Sequence, residues 1–480
     1  MVYLGNTIFL MKWGCNMIDL SNFKLWLTEN KDYSSRTISN YVSRFKRADH
    51  ILPWFNDTVY QFRLEQTKAY QELSGDIRSQ IKKAVKLYFE FINSDETLPN
   101  RIGSGMNVLS LFANIGVAEA YLKEIGVNIV IANELIERRA ILYSKIYPET
   151  HMICGDITNK EIFQKIVSES IDKGVNVIMA TPPCQGMSTV GQKLVDDERN
   201  RLVCQVIDAI KAIEPKYALI ENVPMFFNTK IMVDDKGILI PDLLEKELGN
   251  KYTINNYVID TKDYSVPQSR ERAIVLITRK GQKKEWVIPQ RDATVKTMRD
   301  AIGDLPKLDP YITDIDEKEL LEIFPHFYER KERALQISKW HNPPHHVKRQ
   351  VVAMQHTPTG KTAFDNSKYY PVKENGEAVK GFRNTYKRQN WDTPAYTVTM
   401  DNRKISSQDN VHPGRKEYID ENGEEIYSDA RALTLYELMK IMSIPQDWPV
   451  PENTSEAFLR RIIGEGIPPL FVKKVFEKLL

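Results

Sequence analysis

The stretch MNVLSLFANIGVAEAYLKEIGVNIVIANE, residues 106–134, decides the fold. MNVLSLFA and VNIVIANE are short apolar runs of strand length, and VAEAYLKEIG between them reads as a helix. The alternation continues downstream. LIERRAILYSKIY, NKEIFQKIVSESIDKG and ERNRLVCQVIDAIKAIEP have helical spacing, and THMICGDI, VNVIMATPP and KYALIENVP are extended. Strands alternating with helices predict an α/β fold: a Rossmann-like, mostly parallel sheet covered on both faces. Such sheets hold ligands at the carboxyl ends of their strands.

Outward from this core the pattern changes in both directions. Residues 98–105 are polar, carry Pro99, Gly103 and Gly105, and read as a linker. Residues 18–97 read as a helical domain, with Ile38, Tyr41, Val42 and Phe45 on one apolar face and Ile77, Ile81, Val85 and Phe89 on another. Arg36, Arg44, Lys46, Arg47, Arg78, Lys82, Lys83 and Lys86 lie on the same helices. They suit either a solvated surface or a DNA-binding one. Residues 106–304 form the expected catalytic domain, 305–430 a Pro-, His-, Lys- and aromatic-rich region without alternation, and 431–480 a helical return. Residues 1–17, with Met11 and Met17 close together, read as an over-extended start.

Composition excludes several classes. The 480 residues carry a formal charge of +2, which argues against a uniformly basic coat and leaves room for a local basic cleft. Cys15, Cys154, Cys184 and Cys204 have no paired spacing, so neither a disulfide framework nor a zinc site is expected, and a cytoplasmic, nucleoid-associated setting is. No apolar run is long enough to span a membrane. His341, His345, His346 and His356 lack metal-ligand spacing, and no metal is expected.

Chemistry-bearing residues gather where the strands end. The first strand runs into a turn carrying Phe112, Asn114 and Gly116, with Asn114 suited to a left-handed backbone. The second ends at Glu134-Leu135, placed to take a ribose hydroxyl pair. The third ends at Asp156-Ile157, where a carboxylate can accept from an adenine amino group. Each acid alone reads as a helix N-terminal charge. Together, and without a complete phosphate loop, they fit S-adenosyl-L-methionine better than a dinucleotide. The fourth strand ends in Thr181-Pro-Pro-Cys-Gln-Gly-Met-Ser188, the fifth in Glu221-Asn222-Val223-Pro224, and Gln268-Ser-Arg270-Glu-Arg272 enters a later strand.

This set meets the needs of methylation at cytosine C5. That carbon is a poor nucleophile until a thiolate adds to C6, which makes C5 enamine-like. Cys184 would be the thiolate; its ordinary pKa of about 8.5 requires a cationic environment. Glu221 could hold N3 and the N4 amino group. Arg270 and Arg272, two apart on an extended segment, point the same way and could stabilise charge at O2. The base would have to be flipped out of the duplex.

From residue 106 to 480 the chain resembles the DNA (cytosine-5) methyltransferases. The resemblance rests on SLFANIG, Pro183-Cys184-Gln185, Glu221-Asn222-Val223, Gln268-x-Arg270-x-Arg272, DDERNRL (196–202), Arg431-x-Leu433-Thr434-x-x-Glu437 and Gly464-Glu465-Gly466-Ile467-Pro468-Pro469. It implies that Phe112 packs on the cofactor, Glu134 binds its ribose and Asp156 its adenine. It also implies that Pro183 shapes the catalytic loop and that Gly186, Met187 and Ser188 close over the flipped base. The cofactor set so implied is Phe112, Asn114, Gly116, Glu134, Leu135, Asp156, Ile157, Pro183 and Glu465, with S-adenosyl-L-homocysteine as product. Two departures stand out. Asn114 and Val117 occupy usual glycine positions, and Glu465 replaces a usual asparagine. Gln185, Ser188 and Gln268 are expected at the substrate.

Residues 305–400 occupy the family's variable target-recognition region. Arg383, Lys387, Arg388 and Arg403 are the expected contacts to double-stranded DNA. The resemblance further implies a restriction–modification or phage-defence setting, a cognate endonuclease encoded nearby, and a monomer. A transfer-RNA methyltransferase and a non-catalytic DNA-binding regulator are the competing readings.

Overall fold

The computed structural model describes residues 20–31, 33–54, 60–92, 105–183, 202–233, 236–366, 369–373, 375–378 and 380–480. The chain divides into two compact units, Met1–Ile102 and Gly103–Leu480.

The first unit is helical. Its long helices are α1 (Leu20–Asn30), α2 (Ser35–Ile51) and α3 (Gly75–Ile92), with short helices at Tyr60–Gln66 and Lys68–Gln71 between the last two. Ser34 caps α2 by accepting the Thr37 N–H, which satisfies one of the helix's orphan donors. Phe23, Phe45, Trp54, Tyr88 and Phe91 are buried together, and the Phe45 and Tyr88 rings stack at 3.6 Å. A core this aromatic holds a small bundle together without disulfides.

The second unit is built on a seven-stranded sheet. Its strands are β1 (Asn107–Leu111), β2 (Asn128–Glu134), β3 (His151–Cys154), β4 (Val177–Ala180), β5 (Tyr217–Asn222), β6 (Tyr252–Asp260) and β7 (Glu271–Arg279). Spatial order is β3-β2-β1-β4-β5-β7-β6. β1 to β5 run parallel, and β7 lies antiparallel to both β5 and β6. The order reverses between β1 and β4, so the crevice outside their carboxyl ends is the switch point where ligands bind in such sheets. Helices α4 (Glu137–Ile146), α5 (Lys160–Asp172), α6 (Leu202–Ile213) and α7 (Ile240–Leu248) follow β2, β3, β4 and β5. The chain closes with α8 (Leu435–Ile441), α9 (Glu456–Glu465) and α10 (Pro469–Glu477); Phe471, Val472, Val475 and Phe476 of α10 pack in one cluster with Leu219, Ile274 and Leu276 of the sheet.

One expected element is absent. VAEAYLKEIG is not an α-helix but a run of turns ending in a 3-10 turn, Lys123–Ile125. Its backbone bonds are of the tighter kind, Ala120 N–H to Val117 C=O and Leu122 N–H to Glu119 C=O. Two packing demands explain this. Val117 is buried against Gly466, where an added Cβ would stand 3.1 Å from the valine side chain. Glu119 is buried too, with its Oε1 accepting from Ser110 Oγ at 2.6 Å.

Burial raises the Glu119 carboxyl from an ordinary 4.5 to about 7, although the Ser110 hydrogen bond opposes the rise. The folded chain therefore keeps a proton that the unfolded chain loses above 4.5. The resulting cost is absent below that pH, grows between 4.5 and about 7, and reaches on the order of 3 kcal/mol above it. Glu119→Gln is accordingly expected to raise the melting temperature by several degrees at pH 8 and much less at pH 5. Equal shifts at both values would refute the assignment.

Candidate active site

The turn expected to hold the cofactor, called the cofactor turn below, follows β1. Phe112 and Asn114 both adopt left-handed backbone, with φ of 60° and 53°. Two such non-glycine residues within three positions constitute stored strain, of the sort found where a ligand is gripped. The turn is held from several sides. Ala113 N–H donates to Asn133 C=O and Asn114 N–H to Glu134 Oε2, each at 2.9 Å. Gly116 (φ 82°) lies under Tyr147, whose ring an added Cβ would meet at 2.1 Å and whose hydroxyl donates to the Gly116 carbonyl. Trp448 Nε1 in turn donates to that hydroxyl at 3.1 Å. Tyr147 and Trp448 carry no motif and escaped the sequence reading.

The expected cofactor residues line up beside this turn. Glu134 is buried, its Oε1 accepting from Ile136 N–H at 2.9 Å. Each carboxylate oxygen retains a second lone pair for a hydroxyl donor. Leu135 and Ile136 are exposed, the former to 62%, and give the turn an apolar flank. Asp156 is exposed; its Oδ1 accepts from the Thr158 N–H and hydroxyl, both at 2.8 Å, which leaves Oδ2 available. Ile157 is buried in the main core. S-adenosylmethionine offers ribose hydroxyls, an adenine amino group and an apolar ring face, and this donor-hungry edge with its apolar flank fits them.

Pro182 and Pro183 bring the chain from β4 towards Cys184 along a fixed path. Thr181 Oγ1 donates to Phe112 C=O at 3.2 Å, and Asn222 Nδ2 donates to Pro182 C=O at 3.0 Å. The residues leading to the thiol are thus tied both to the cofactor turn and to the end of β5. Cys184, Gln185 and Ser188, with DDERNRL as far as Arg201, lie outside the described residues.

At the end of β5, Glu221 is 8% exposed, and its Oε1 lies 2.7 Å from Arg272 Nε. Its Oε2 has no partner among the described residues. A buried carboxylate aimed by a cation, with one oxygen open, can accept from the N4 amino group of a cytosine, and from N3 only when that nitrogen is protonated.

Arg270, the other arginine expected at the substrate, is held by two backbone carbonyls. It is 3% exposed, and its guanidinium donates to Val398 C=O at 2.8 Å and Gly464 C=O at 3.0 Å. Gln268, also expected at the substrate, bonds the same scaffold. It is fully buried, with Nε2 donating to Met442 Sδ at 2.9 Å and Oε1 accepting from Val398 N–H at 3.0 Å. Both side chains anchor the 395–398 segment and the closing motif to the entry of β7. Sequence spacing shows which side chains share a face, not which partners that face meets.

The residues expected to contact DNA also divide. Arg383 and Arg403 are exposed. Lys387 sits 4.1 Å over the Tyr396 ring and 3.8 Å from Asp409, half-buried. Arg388 is a correction: it is fully buried and cannot reach DNA. Its guanidinium donates to the carbonyls of Met354, His412, Ser428 and Asp429, and burial pushes its pKa down to about 10. Gly414 makes room for it, since an added Cβ there would stand 2.3 Å from Arg388 Nη1. Among the described residues no group of His, Cys, Asp or Glu could hold a metal ion, and no helix is long and apolar enough to cross a membrane.

Residues 106–480 match the C-5 cytosine-specific DNA methylases. The chain is 40% identical over 376 residues to the Type II methyltransferase M1.HgaI of Avibacterium volantium, covering 77% of this chain and 97% of that one. It is 24% identical over 380 residues to the Type II methyltransferase M.NgoPII of Neisseria gonorrhoeae, covering 76% and 92%. A solved structure assigned to DNA modification methyltransferases and encoded in an E. coli prophage superposes with a TM-score of 0.53 at 18% identity, covering 78% of this chain and 98% of that one; this likeness concerns the fold. The chain belongs to the C-5 cytosine-specific DNA methylases.

Proposed function

We propose that this protein methylates C5 of a flipped-out cytosine in duplex DNA through a covalent bond between Cys184 and C6. The observation that carries the reading is the Glu221–Arg272 pair at 2.7 Å, beside the Asn222 amide that holds Pro182 two residues before the thiol. The Cys184 thiolate adds to C6, and the ring electrons shift towards N3, O2 and C5, where Glu221 steadies the N3 edge. S-adenosylmethionine, when bound, would supply the electrophilic methyl group for C5, with S-adenosylhomocysteine as the leaving group. Loss of the C5 proton to a base then returns electrons to the ring and expels the thiolate. Arg272 orients Glu221, while Arg270 holds the scaffold. Phe112, Glu134 and Asp156 are the residues proposed to hold the cofactor, and Arg383 and Arg403 remain the proposed contacts to DNA. The Type II names of the relatives support a modification enzyme whose product protects DNA from a cognate endonuclease.

Duplex DNA containing 5-fluorocytosine tests the chemistry, because fluorine cannot leave as a proton does. A denaturant-resistant adduct that disappears in Cys184→Ala is expected. No adduct from active protein would sink the covalent route. Greater methyl incorporation into transfer RNA than into duplex DNA would overturn the substrate.

The helical unit is proposed to add a sequence-independent grip on DNA phosphates. Helices α2 and α3 carry eight Lys and Arg residues against Asp49, Asp76 and Glu90. Arg36, Lys46, Arg47, Lys83 and Lys86 are exposed and have no carboxylate partner among the described residues. Changing Arg36, Arg47, Lys83 and Lys86 together to glutamine should weaken DNA binding about tenfold and flatten its salt dependence. An unchanged salt slope would return this face to plain solvation.

A further inference from the structure

Two positions that depart from the family pattern, Asn114 and Glu465, lie 351 residues apart and touch in the fold. Asn114 Nδ2 donates to Glu465 Oε2 at 3.1 Å. Arg139 grips the same carboxylate with both terminal nitrogens, Nη1 at 2.9 Å from Oε2 and Nη2 at 3.1 Å from Oε1. The Arg139 and Glu465 side chains are only 18% and 20% exposed, so the pair is shielded from solvent more than a surface ion pair is. A carboxylate can only accept, so the Asn114 amide must present its nitrogen. This contact joins three distant pieces of chain: the strained turn after β1, the first turn of α4 and the last residue of α9.

We propose that Asn114, Arg139 and Glu465 form a clasp that positions the cofactor turn, and that the two departures are a matched pair. The proposal rests on the reading of that turn as the S-adenosylmethionine site. Glycine would enter the left-handed region at position 114 without help, whereas asparagine enters at a cost that the bond to Glu465 offsets. Glutamate at 465 would be a poorly solvated charge by itself, and Arg139 neutralises it through a two-pronged bond. The clasp touches no reacting atom. It acts through Asn114, whose N–H is bonded to Glu134. Loosening it should therefore alter cofactor affinity more than the chemical step.

The test compares the full-length chain with Asn114→Gly, Glu465→Asn and the double variant, varying S-adenosylmethionine in methyl-transfer assays on duplex DNA. Each single change is expected to raise the cofactor KM about tenfold with kcat altered less than about twofold, and the double variant to recover most of the loss. Such recovery is the signature of a matched pair, and a merely structural role would not produce it. Independent effects that multiply in the double variant, or single variants with unchanged KM, would overturn the proposal. Calorimetric titration with S-adenosylhomocysteine gives the same comparison without turnover. If wild type itself fails to bind that probe, the cofactor reading has failed and not the clasp. Glu465→Gln keeps an acceptor for Asn114 and removes the charge facing Arg139, which covers the case in which Glu465→Asn does not fold. It should raise KM by an intermediate factor, and no change would remove Arg139 from the clasp.

Discussion

Replacing Cys184 with alanine is expected to lower methyl transfer by at least about four orders of magnitude while leaving DNA binding measurable. The size of the effect follows from the substrate. Cytosine C5 does not attack a methyl sulfonium at a useful rate until C6 carries a nucleophile, and alanine offers none. The surrounding framework does not depend on the thiol. Pro182 is held by Asn222, Thr181 by the cofactor turn, and Glu221 by Arg272. DNA and cofactor should therefore still bind. Labelled methyl incorporation gives the first quantity and an equilibrium DNA-binding assay the second. Residual transfer above about one per cent of wild type would place the nucleophile elsewhere.

Arg431→Met is expected to cost the catalytic unit at least about 4 kcal/mol, the largest stability loss foreseen for a single change in this chain. Arg431 is fully buried. It bonds Glu437 with both terminal nitrogens at 2.8 and 2.9 Å, and Asp429 at 2.9 Å. Burial would raise the Glu437 carboxyl, but the Arg431 charge outweighs it and brings the pKa down to about 2. Methionine fills similar space and leaves two buried carboxylates without their cation. Thermal melting should show the loss directly, and a change below about 1 kcal/mol would mean that solvent reaches the cluster. Nearby, His346 and His412 accept backbone N–H groups from Ala432 and Gly414, and burial pushes both rings down to about 4. The unfolded chain takes up these protons near 6.5. Stability from this cluster is thus full above 6.5 and falls as pH drops towards 4.

Much of this site could be read before any coordinates. Arg431-x-Leu433-Thr434-x-x-Glu437 is legible as a family motif, and the fold adds that it caps a helix: the Thr434 hydroxyl accepts the Glu437 N–H while Glu437 accepts the Thr434 N–H. The left-handed conformation expected of Asn114 is present at φ 53°. Other residues carried no such local mark. Arg139, Tyr147 and Trp448 support the cofactor turn from one helix, the chain just beyond it, and a segment some 300 residues away. No period or motif records such a meeting.

The amino-acid sequence by itself determined the alternating strands, the strand ends that carry Phe112, Glu134, Asp156 and Glu221, and the family motifs in their order. These follow from backbone periodicity and turn chemistry, which act over a few residues. Tertiary structure alone decided which charges are free. It buried Arg388 among carbonyls, tied Arg270 to the carbonyls of Val398 and Gly464, paired Arg272 with Glu221, kept residues 117–126 from forming an α-helix, and brought Glu465 to Asn114. Desolvation and pairing depend on atoms contributed by distant segments, and a charge written in the sequence says nothing about which of them will surround it.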